Sequence, residues 1–262
     1  MSSRRVERYT YGDDPSQYAE LYRPGVATRR GTLVLIHGGF WRSAFGADHL
    51  AGVATDVVER GWTVWNLEYR RVGNGGGSTA TLGDVSTAID LLAHVPGVDT
   101  GWVVAMGHSA GGHLAAWAAG RRALANAGRW TTPTVEIAAV VSLAGVLDLA
   151  TAARERIGGG AVPEFLGGSP TDCPDLYELA DPLVRIPLSA VVRCVHARAD
   201  NRVPFAQSET YVTRAGEASM DATLTVAKGD HFSVADASSR DWPTVLTVLD
   251  ALEGSASTRI PS

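Results

Sequence analysis

Lysine is nearly absent from this 262-residue chain: Lys228 stands alone among 23 basic residues, so arginine carries almost all the positive charge. Against 28 acidic residues, this leaves a formal charge of −5 and a pI near 5.8. Such a balance exerts no general pull toward nucleic acid or an anionic membrane. Heavy arginine use beside many Ala, Gly and Val reads as the signature of a GC-rich genome, not as a recognition surface. Cysteine is scarce too. Cys173 and Cys194 cannot form a disulfide framework in a chain this long. A reducing compartment is the simpler reading, with Cys194 a small apolar residue inside a buried strand. No run approaches the roughly 20 apolar residues that a membrane-spanning helix needs. The opening MSSRRVERYTYGDD has early arginines but no apolar stretch behind them, so no signal peptide is expected. These absences lead to the expectation of a cytoplasmic protein with no nucleic-acid or membrane partner. They leave its oligomeric state open.

Metal-binding spacings are missing as well. There is no H-E-x-x-H and no short-spaced cysteine pair, and His108 and His113 stand five apart, on different sides of a helix. Gly73-Asn74-Gly75-Gly76-Gly77 lies well beyond its nearest strand and opens no helix with dinucleotide spacing. It reads as a flexible loop. Neither a metal nor a cofactor is expected.

What is present is alternation. Leu33–Ile36, Trp62–Leu67, Trp102–Met106, Ala138–Ala144, Ala190–His196 and Thr223–Ala227 are short, mostly β-branched runs with little polar interruption, as parallel strands covered on both faces should be. Between them lie helical patterns. Leu82, Val85, Ile89 and Leu92 share one face, as do Trp242, Val245, Leu246, Leu249 and Leu252. Gly61 follows a helical segment from Asp48 to Arg60 as a C-terminal cap. Val6–Tyr11 and Tyr18–Arg23 read as an antiparallel pair leading into the sheet. The whole implies a single α/β domain over residues 1–262, its mostly parallel central sheet covered by helices on both faces. Only Gly158–Pro187, rich in Gly, Pro and Asp, breaks the rhythm. An excursion at about 150–187 reads either as a small cap or as one helix with long connections.

The chemistry gathers at the ends of these strands. Gly107-His108-Ser109-Ala110-Gly111 follows a strand directly and opens a helix, the setting that a G-x-S-x-G nucleophile elbow requires. A serine in so tight a turn needs small neighbours, and in return its hydroxyl projects above the sheet. That hydroxyl is a weak nucleophile without a base. Of seven histidines, His231 lies in a loop just after the last strand, where open α/β sheets gather their active-site loops. His37 and His108 flank glycines and shape their loops; His49, His94 and His113 fall on helices, where solvent or packing roles are commoner. His196, at a strand end, is the rival base. A carboxylate must fix the tautomer of that base. Asp200 follows the strand ending at His196, whereas Asp148 comes one strand earlier, Asp230 adjoins the histidine and points away from it, and Asp181 lies in the excursion. Finally, His37-Gly38-Gly39-Phe40-Trp41 follows the first parallel strand. Its adjacent glycines let the backbone N–H groups of Gly38, Gly39 and Phe40 turn toward an oxyanion, with the N–H of Ala110 as partner donor.

These motifs resemble the α/β-hydrolase superfamily, which uses the chain order Ser109, Asp200, His231. Within it they resemble the esterase/lipase group that carries an HGG oxyanion motif. His37 to Arg42, with Gly107 to Leu114, looks most similar to the kynurenine formamidase-like (arylformamidase) branch. Ala144-Gly145-Val146-Leu147-Asp148-Leu149 and Val203-Pro204-x-x-Gln207-Ser208 look like further signposts of that branch. The likeness runs from about Thr32 to Phe232, and Ala150–Arg185 departs most from it.

The resemblance implies an α/β-hydrolase fold with a small or minimal cap. It also implies hydrolysis of a small ester or amide through an acyl-enzyme: Ser109 attacks, His231 moves the proton, and Asp200 orients the base. In the formamidase reading the acyl group is formyl and the leaving group an aromatic amine. Trp41, Tyr69, His108 and Phe232 are the expected substrate-binding residues; Phe40, Trp41, Tyr69 and Phe232 could hold an aromatic ring. A general carboxylesterase, a small-peptide hydrolase and a non-catalytic ligand-binding protein on the same fold are the competing readings.

Overall fold

The structure is a computed structural model that describes residues 6–256. The opening arginines Arg4 and Arg5 lie outside the described residues. Eight strands form one sheet: β1 (Val6–Thr10), β2 (Tyr18–Tyr22), β3 (Thr32–Ile36), β4 (Thr63–Leu67), β5 (Val103–His108), β6 (Ala139–Leu143), β7 (Val191–Ala197) and β8 (Ala222–Ala227). Their spatial order is β1-β2-β4-β3-β5-β6-β7-β8. The first two strands enter antiparallel, and all later neighbours run parallel. All six parallel strands read from the sequence are present.

The unbroken apolar runs are explained by burial on two sides. Along β3, Leu33 and Leu35 pack with α1 (Ala51–Glu59) and α9 (Trp242–Ala256) on one face of the sheet. Val34 and Ile36 pack on the other face, with α2 (Ser78–Asp90) and α3 (Ala110–Ala119). Alternation of side chains across a strand makes both sets apolar when both faces are covered. Trp65 is fully buried, and its Nε1 donates to the Ala88 carbonyl at 3.0 Å, so its one polar atom is satisfied. At the end of α1, Gly61 takes φ +92°, the left-handed conformation in which glycine ends a helix without strain.

The chain leaves β3 for β4 on one side, then returns past β3 to form β5 on the other. This reversal places the carboxyl ends of β3 and β5 together, where open α/β sheets hold their ligands. Ile36 pairs with Gly107, so the loop after β3 and the elbow after β5 start side by side.

Two helices remain on the regular part of the chain: α4 (Arg121–Asn126) and α8 (Ala206–Glu217). The excursion after β6 is a string of short pieces: α5 (Leu149–Arg154), α6 (Ala161–Leu166) and α7 (Pro174–Ala180), with 3₁₀ turns at Ile157–Gly159 and Pro182–Arg185. This replaces the alternative of one helix with long connections. Helices of six or seven residues are unstable alone, so packing and caps hold them. Asp148 caps α5 by accepting the Thr151 N–H at 2.8 Å. Phe165 stacks on Trp41, with centroids 4.8 Å apart. Arg42 reaches from the loop after β3 to Glu164 (Nε to Oε2, 2.7 Å) and to the Gly158 carbonyl (2.9 Å).

Asp181, at the end of α7, is 2% exposed. Burial pushes its carboxyl up to about 6, against the pull of the backbone N–H groups of Leu183, Leu149 and Ala150. An acid raised above its unfolded value favours the fold only while protonated. Stability should therefore fall as pH rises from about 4 to about 6, by on the order of 3 kcal/mol. Asp181→Asn keeps an acceptor but cannot ionise. Its melting temperature relative to the wild type is expected to climb between pH 4 and pH 7 in calorimetry. A difference that stays flat across that range would contradict the assignment.

Candidate active site

Ser109 is the single residue between β5 and α3, and it adopts φ +57° with ψ −118°. A non-glycine residue there stores roughly 1–3 kcal/mol of strain, which persists only where the surroundings enforce it. They do so at several points. The Ser109 N–H donates to the Leu143 carbonyl at 2.8 Å, and its own carbonyl accepts from the N–H groups of Gly112 (2.9 Å) and His113 (3.3 Å). The flanking glycines are required by close approach. A Cβ on Gly107 would lie 2.0 Å from the Gly111 oxygen, and one on Gly111 would lie 1.9 Å from the Ile36 oxygen. Strand, turn and helix are packed backbone to backbone.

Asp200 follows β7, and its side chain is fully buried. Its Oδ1 accepts the N–H groups of Arg202 (2.8 Å) and Val203 (2.9 Å). Its Oδ2 accepts from His231 Nδ1 at 2.6 Å and from His196 Nε2 at 3.1 Å. Burial alone would raise this carboxyl, but the hydrogen bonds from His196 and His231 outweigh it and hold the group far below the usual carboxylate range. An ionised Asp200 fixes the proton on His231 Nδ1 and leaves Nε2 unprotonated, the form a general base needs. His196, the rival base, is a second donor to the same oxygen. Its Nδ1 meets Ser208 Oγ at 2.8 Å.

The competing carboxylates are engaged elsewhere. Asp148 caps α5, Asp181 holds the turn after α7, and Asp230 Oδ1 accepts from the N–H groups of Phe232 and Ser233.

The loop after β3 is built on a buried ion network. Glu68 accepts from His37 Nε2 (3.0 Å), from the N–H of Ala47 (2.9 Å) and of Tyr69 (2.8 Å), and pairs with Arg71 (3.0 Å). Burial opposes its charge, yet His37 and Arg71 keep the carboxyl below its ordinary value. His37 Nδ1 also lies 2.8 Å from the Gly38 carbonyl. Gly39 (φ +108°), Phe40 (φ +52°) and Trp41 (φ +56°) then turn the chain sharply, closed by the Arg42 N–H on the Gly39 carbonyl at 2.9 Å. Among the described residues, no backbone acceptor takes the N–H of Gly39, Phe40 or Ala110.

A cavity of about 160 Å³ opens between these loops. Gly39, Phe40, Phe45, His49, His108, Ser109, Arg202, His231 and Phe232 line it. Ser109 and His231 therefore share one chamber, without a hydrogen bond between the hydroxyl and the ring; such contacts often tighten only when substrate is bound. His108 shares it, its ring centroid 4.6 Å from that of His231. Burial, then the nearby His231, pushes the His108 imidazole down to about 3. Its Nε2 donates to the His231 carbonyl at 2.9 Å, steadying the backbone that carries the base.

Two of the expected substrate-binding residues are elsewhere. Trp41 is fully buried, donating to His113 Nδ1 at 3.1 Å and stacked on Phe165. Tyr69, also fully buried, stacks on His37 with centroids 4.3 Å apart and donates from its hydroxyl to the His37 carbonyl at 2.7 Å. Both brace the loop after β3 from behind, because an apolar ring next to a core strand gains more from burial than from the cavity wall. Gly38 and Ala110 adjoin the cavity without lining it. His108 and Phe232 do line it.

His49 differs from the sequence reading. It lies in a 3₁₀ turn, Ala47–Leu50, with its ring 5.6 Å from His108 in the cavity wall. Burial, then the neighbouring His37 and His231, lowers its basicity. Phe45, Arg202, Glu68 and Arg71 also escaped the sequence. A signal existed for the last two, since charged residues immediately after the apolar run Trp62–Leu67 must sit at the sheet's carboxyl edge. Among the described residues no group of three or more His, Cys, Asp or Glu is placed to hold a metal ion. No helix there is long and apolar enough to cross a membrane.

The sheet order, with the elbow after β5 and with Asp200 and His231 after β7 and β8, is that of the α/β-hydrolase fold. Residues 20–214 match the BD-FAE family, and the chain belongs to that family. It is similar to Esterase LipC of Mycobacterium tuberculosis, with 27% identity over 221 residues, covering 79% of this chain and 54% of that protein. The chain thus spans about half the length of the curated relative it matches. Among solved structures, esterase B from Lactobacillus rhamnosis (HN001) superposes with a TM-score of 0.82 at 20% identity, over 98% of this chain and 88% of that one. The butyrate-bound thermophilic esterase Est2 of Thermogutta terrifontis superposes with a TM-score of 0.76 at 22% identity, over 98% and 96% of the two chains. At such identities these two structures speak for the fold.

Proposed function

We propose that this protein is a serine hydrolase that cleaves a small ester through an acyl-enzyme. The observation that carries the reading is the 2.6 Å bond from His231 to buried Asp200, in a chamber also lined by Ser109 in its strained turn. Ser109 Oγ attacks the carbonyl carbon as its proton passes to His231 Nε2. The oxyanion is met by N–H groups of the loop Gly38-Gly39-Phe40 and by that of Ala110, each donor being worth about 100- to 1000-fold in rate. Collapse breaks the carbon–oxygen bond, and the imidazolium protonates the departing alcohol. His231 next deprotonates a water that attacks the acyl carbon, releasing the carboxylic acid and restoring Ser109.

Membership in the BD-FAE family and the esterase names of the relatives support an ester over an amide. The chamber supports a short acyl or small aromatic group, because Phe40, Phe45, Phe232 and three imidazoles wall a space of about 160 Å³. That aromatic wall also favours the second reading, an N-formyl arylamine. In this reading the whole chain works as one domain, with residues 149–185 as a minimal cap braced on Phe40, Trp41 and Arg42.

Assays on 4-nitrophenyl acetate, 4-nitrophenyl butyrate and N-formylaniline, with the Ser109→Ala variant as blank, test both. Turnover of the two esters far above the blank is the expected result, and faster cleavage of the formamide would favour the second reading. No turnover of any of the three would overturn the proposal in favour of a binding protein on this fold.

A further inference from the structure

Among the nine residues lining the chamber, one carries a permanent charge: Arg202. The imidazole of His108 is neutral and that of His49 is weakened as a base, both chiefly by burial. Asp200, the nearest carboxylate in sequence, does not line the chamber. Its oxygens already accept from His231, His196 and the N–H groups of Arg202 and Val203. The guanidinium of Arg202 has no hydrogen bond or ion pair among the described residues. Its neighbours at the site differ in this respect. Arg42 is paired with Glu164, and Arg71 with Glu68.

The position of this arginine is set by the relay itself. Its N–H donates at 2.8 Å to the carboxylate that orients His231, so its backbone is held in register with the base. The side chain is exposed and reaches the chamber from solvent, keeping its charge hydrated until a ligand arrives. A guanidinium offers a planar fork of donors that matches a carboxylate in two parallel hydrogen bonds. Among rings, glycine and the Ser109 hydroxyl, it is the one permanent charge in the chamber that such an anion can meet.

We propose that Arg202 anchors a free carboxylate on the substrate, so that the ester this enzyme takes is an anion. Its carboxylate is separated from the scissile carbonyl by a short linker or a single ring, because one small chamber holds both Ser109 and Arg202. This rests on the hydrolase reading above and narrows its substrate class. Charge on Arg202 and the apolar rings of the same chamber select a molecule with one anionic end and one apolar end.

Two matched pairs of esters test the proposal and separate the two places a carboxylate can occupy. On the leaving side, 4-carboxyphenyl butyrate is compared with 4-carbamoylphenyl butyrate. On the acyl side, monoethyl glutarate is compared with ethyl butyrate. The wild type is expected to favour the anionic member of at least one pair in kcat/KM by about tenfold or more, a preference that shrinks with added salt. Arg202→Ala should bring that ratio to about one, and Arg202→Lys should retain part of it. A wild-type ratio near one in both pairs would overturn the proposal while leaving ester hydrolysis standing. So would a preference that survives in Arg202→Ala. Failure to cleave all four esters would overturn the hydrolase reading together with this one.

Discussion

Ser109→Ala is expected to lower ester turnover by roughly five to six orders of magnitude while the protein stays folded. The loss is large because no second hydroxyl and no thiol lines the chamber. Cys194 is buried in β7 and its thiol is pushed up by that burial, and Cys173 lies in the excursion after β6. The fold should be indifferent. No hydrogen bond of the core uses the Ser109 hydroxyl; what pins the turn is backbone, through the Leu143 carbonyl and the N–H groups of Gly112 and His113. Far-UV circular dichroism and a melting temperature within a few degrees of the wild type would show that the fold is kept. Turnover that survives the substitution would mean that another residue is the nucleophile.

Asp200→Asn should cost about 10³- to 10⁴-fold in kcat, far more than Asp148→Asn. The ionised Asp200 accepts from two imidazoles on one oxygen and from two backbone N–H groups on the other. An amide has a single acceptor oxygen. If that oxygen stays on the backbone, the new NH₂ faces the two imidazoles and forces His231 to give up the Nδ1 proton. The proton then sits on Nε2, which can no longer accept from Ser109. Asp148 has no such task. It caps α5, and asparagine caps almost as well, so its substitution should change stability by only a few tenths of a kcal/mol. Kinetics of both variants on one ester decide the matter, and a larger loss at Asp148 would move the acid to the end of β6.

Much of this architecture was legible because its determinants are local. The run Leu33–Ile36 must be buried on both faces wherever it lies, and Gly107 and Gly111 announce a turn in which backbone touches backbone. The walls of the chamber were not legible. His49 and Phe45 precede α1, Phe232 follows β8, and Arg202 follows β7; only the closing of the sheet brings them together. For Trp41 and Tyr69 the reverse holds. Their proximity to the HGG motif and the strand end suggested a role in the chamber, but rings that large beside a core strand pack inward, where His113, Phe165 and His37 receive them. His196 shows a third limit, since its strand-end position did not reveal that it shares one oxygen of Asp200 with His231.

The excursion of residues 149–185 was the least legible segment. Its short helices have no apolar periodicity long enough to recognise, and they are held by single contacts such as Phe165 on Trp41 and Arg42 on Glu164. Such contacts are tertiary and leave no pattern in the local sequence.

Diethyl 4-nitrophenyl phosphate probes whether Ser109 is a nucleophile activated by His231 and Asp200. Release of one nitrophenolate per protein and a diethylphosphoryl mass on the peptide spanning Ser109 are expected, with a much slower reaction in His231→Ala. A mass on a different residue, or labelling at an unchanged rate in that variant, would contradict that role.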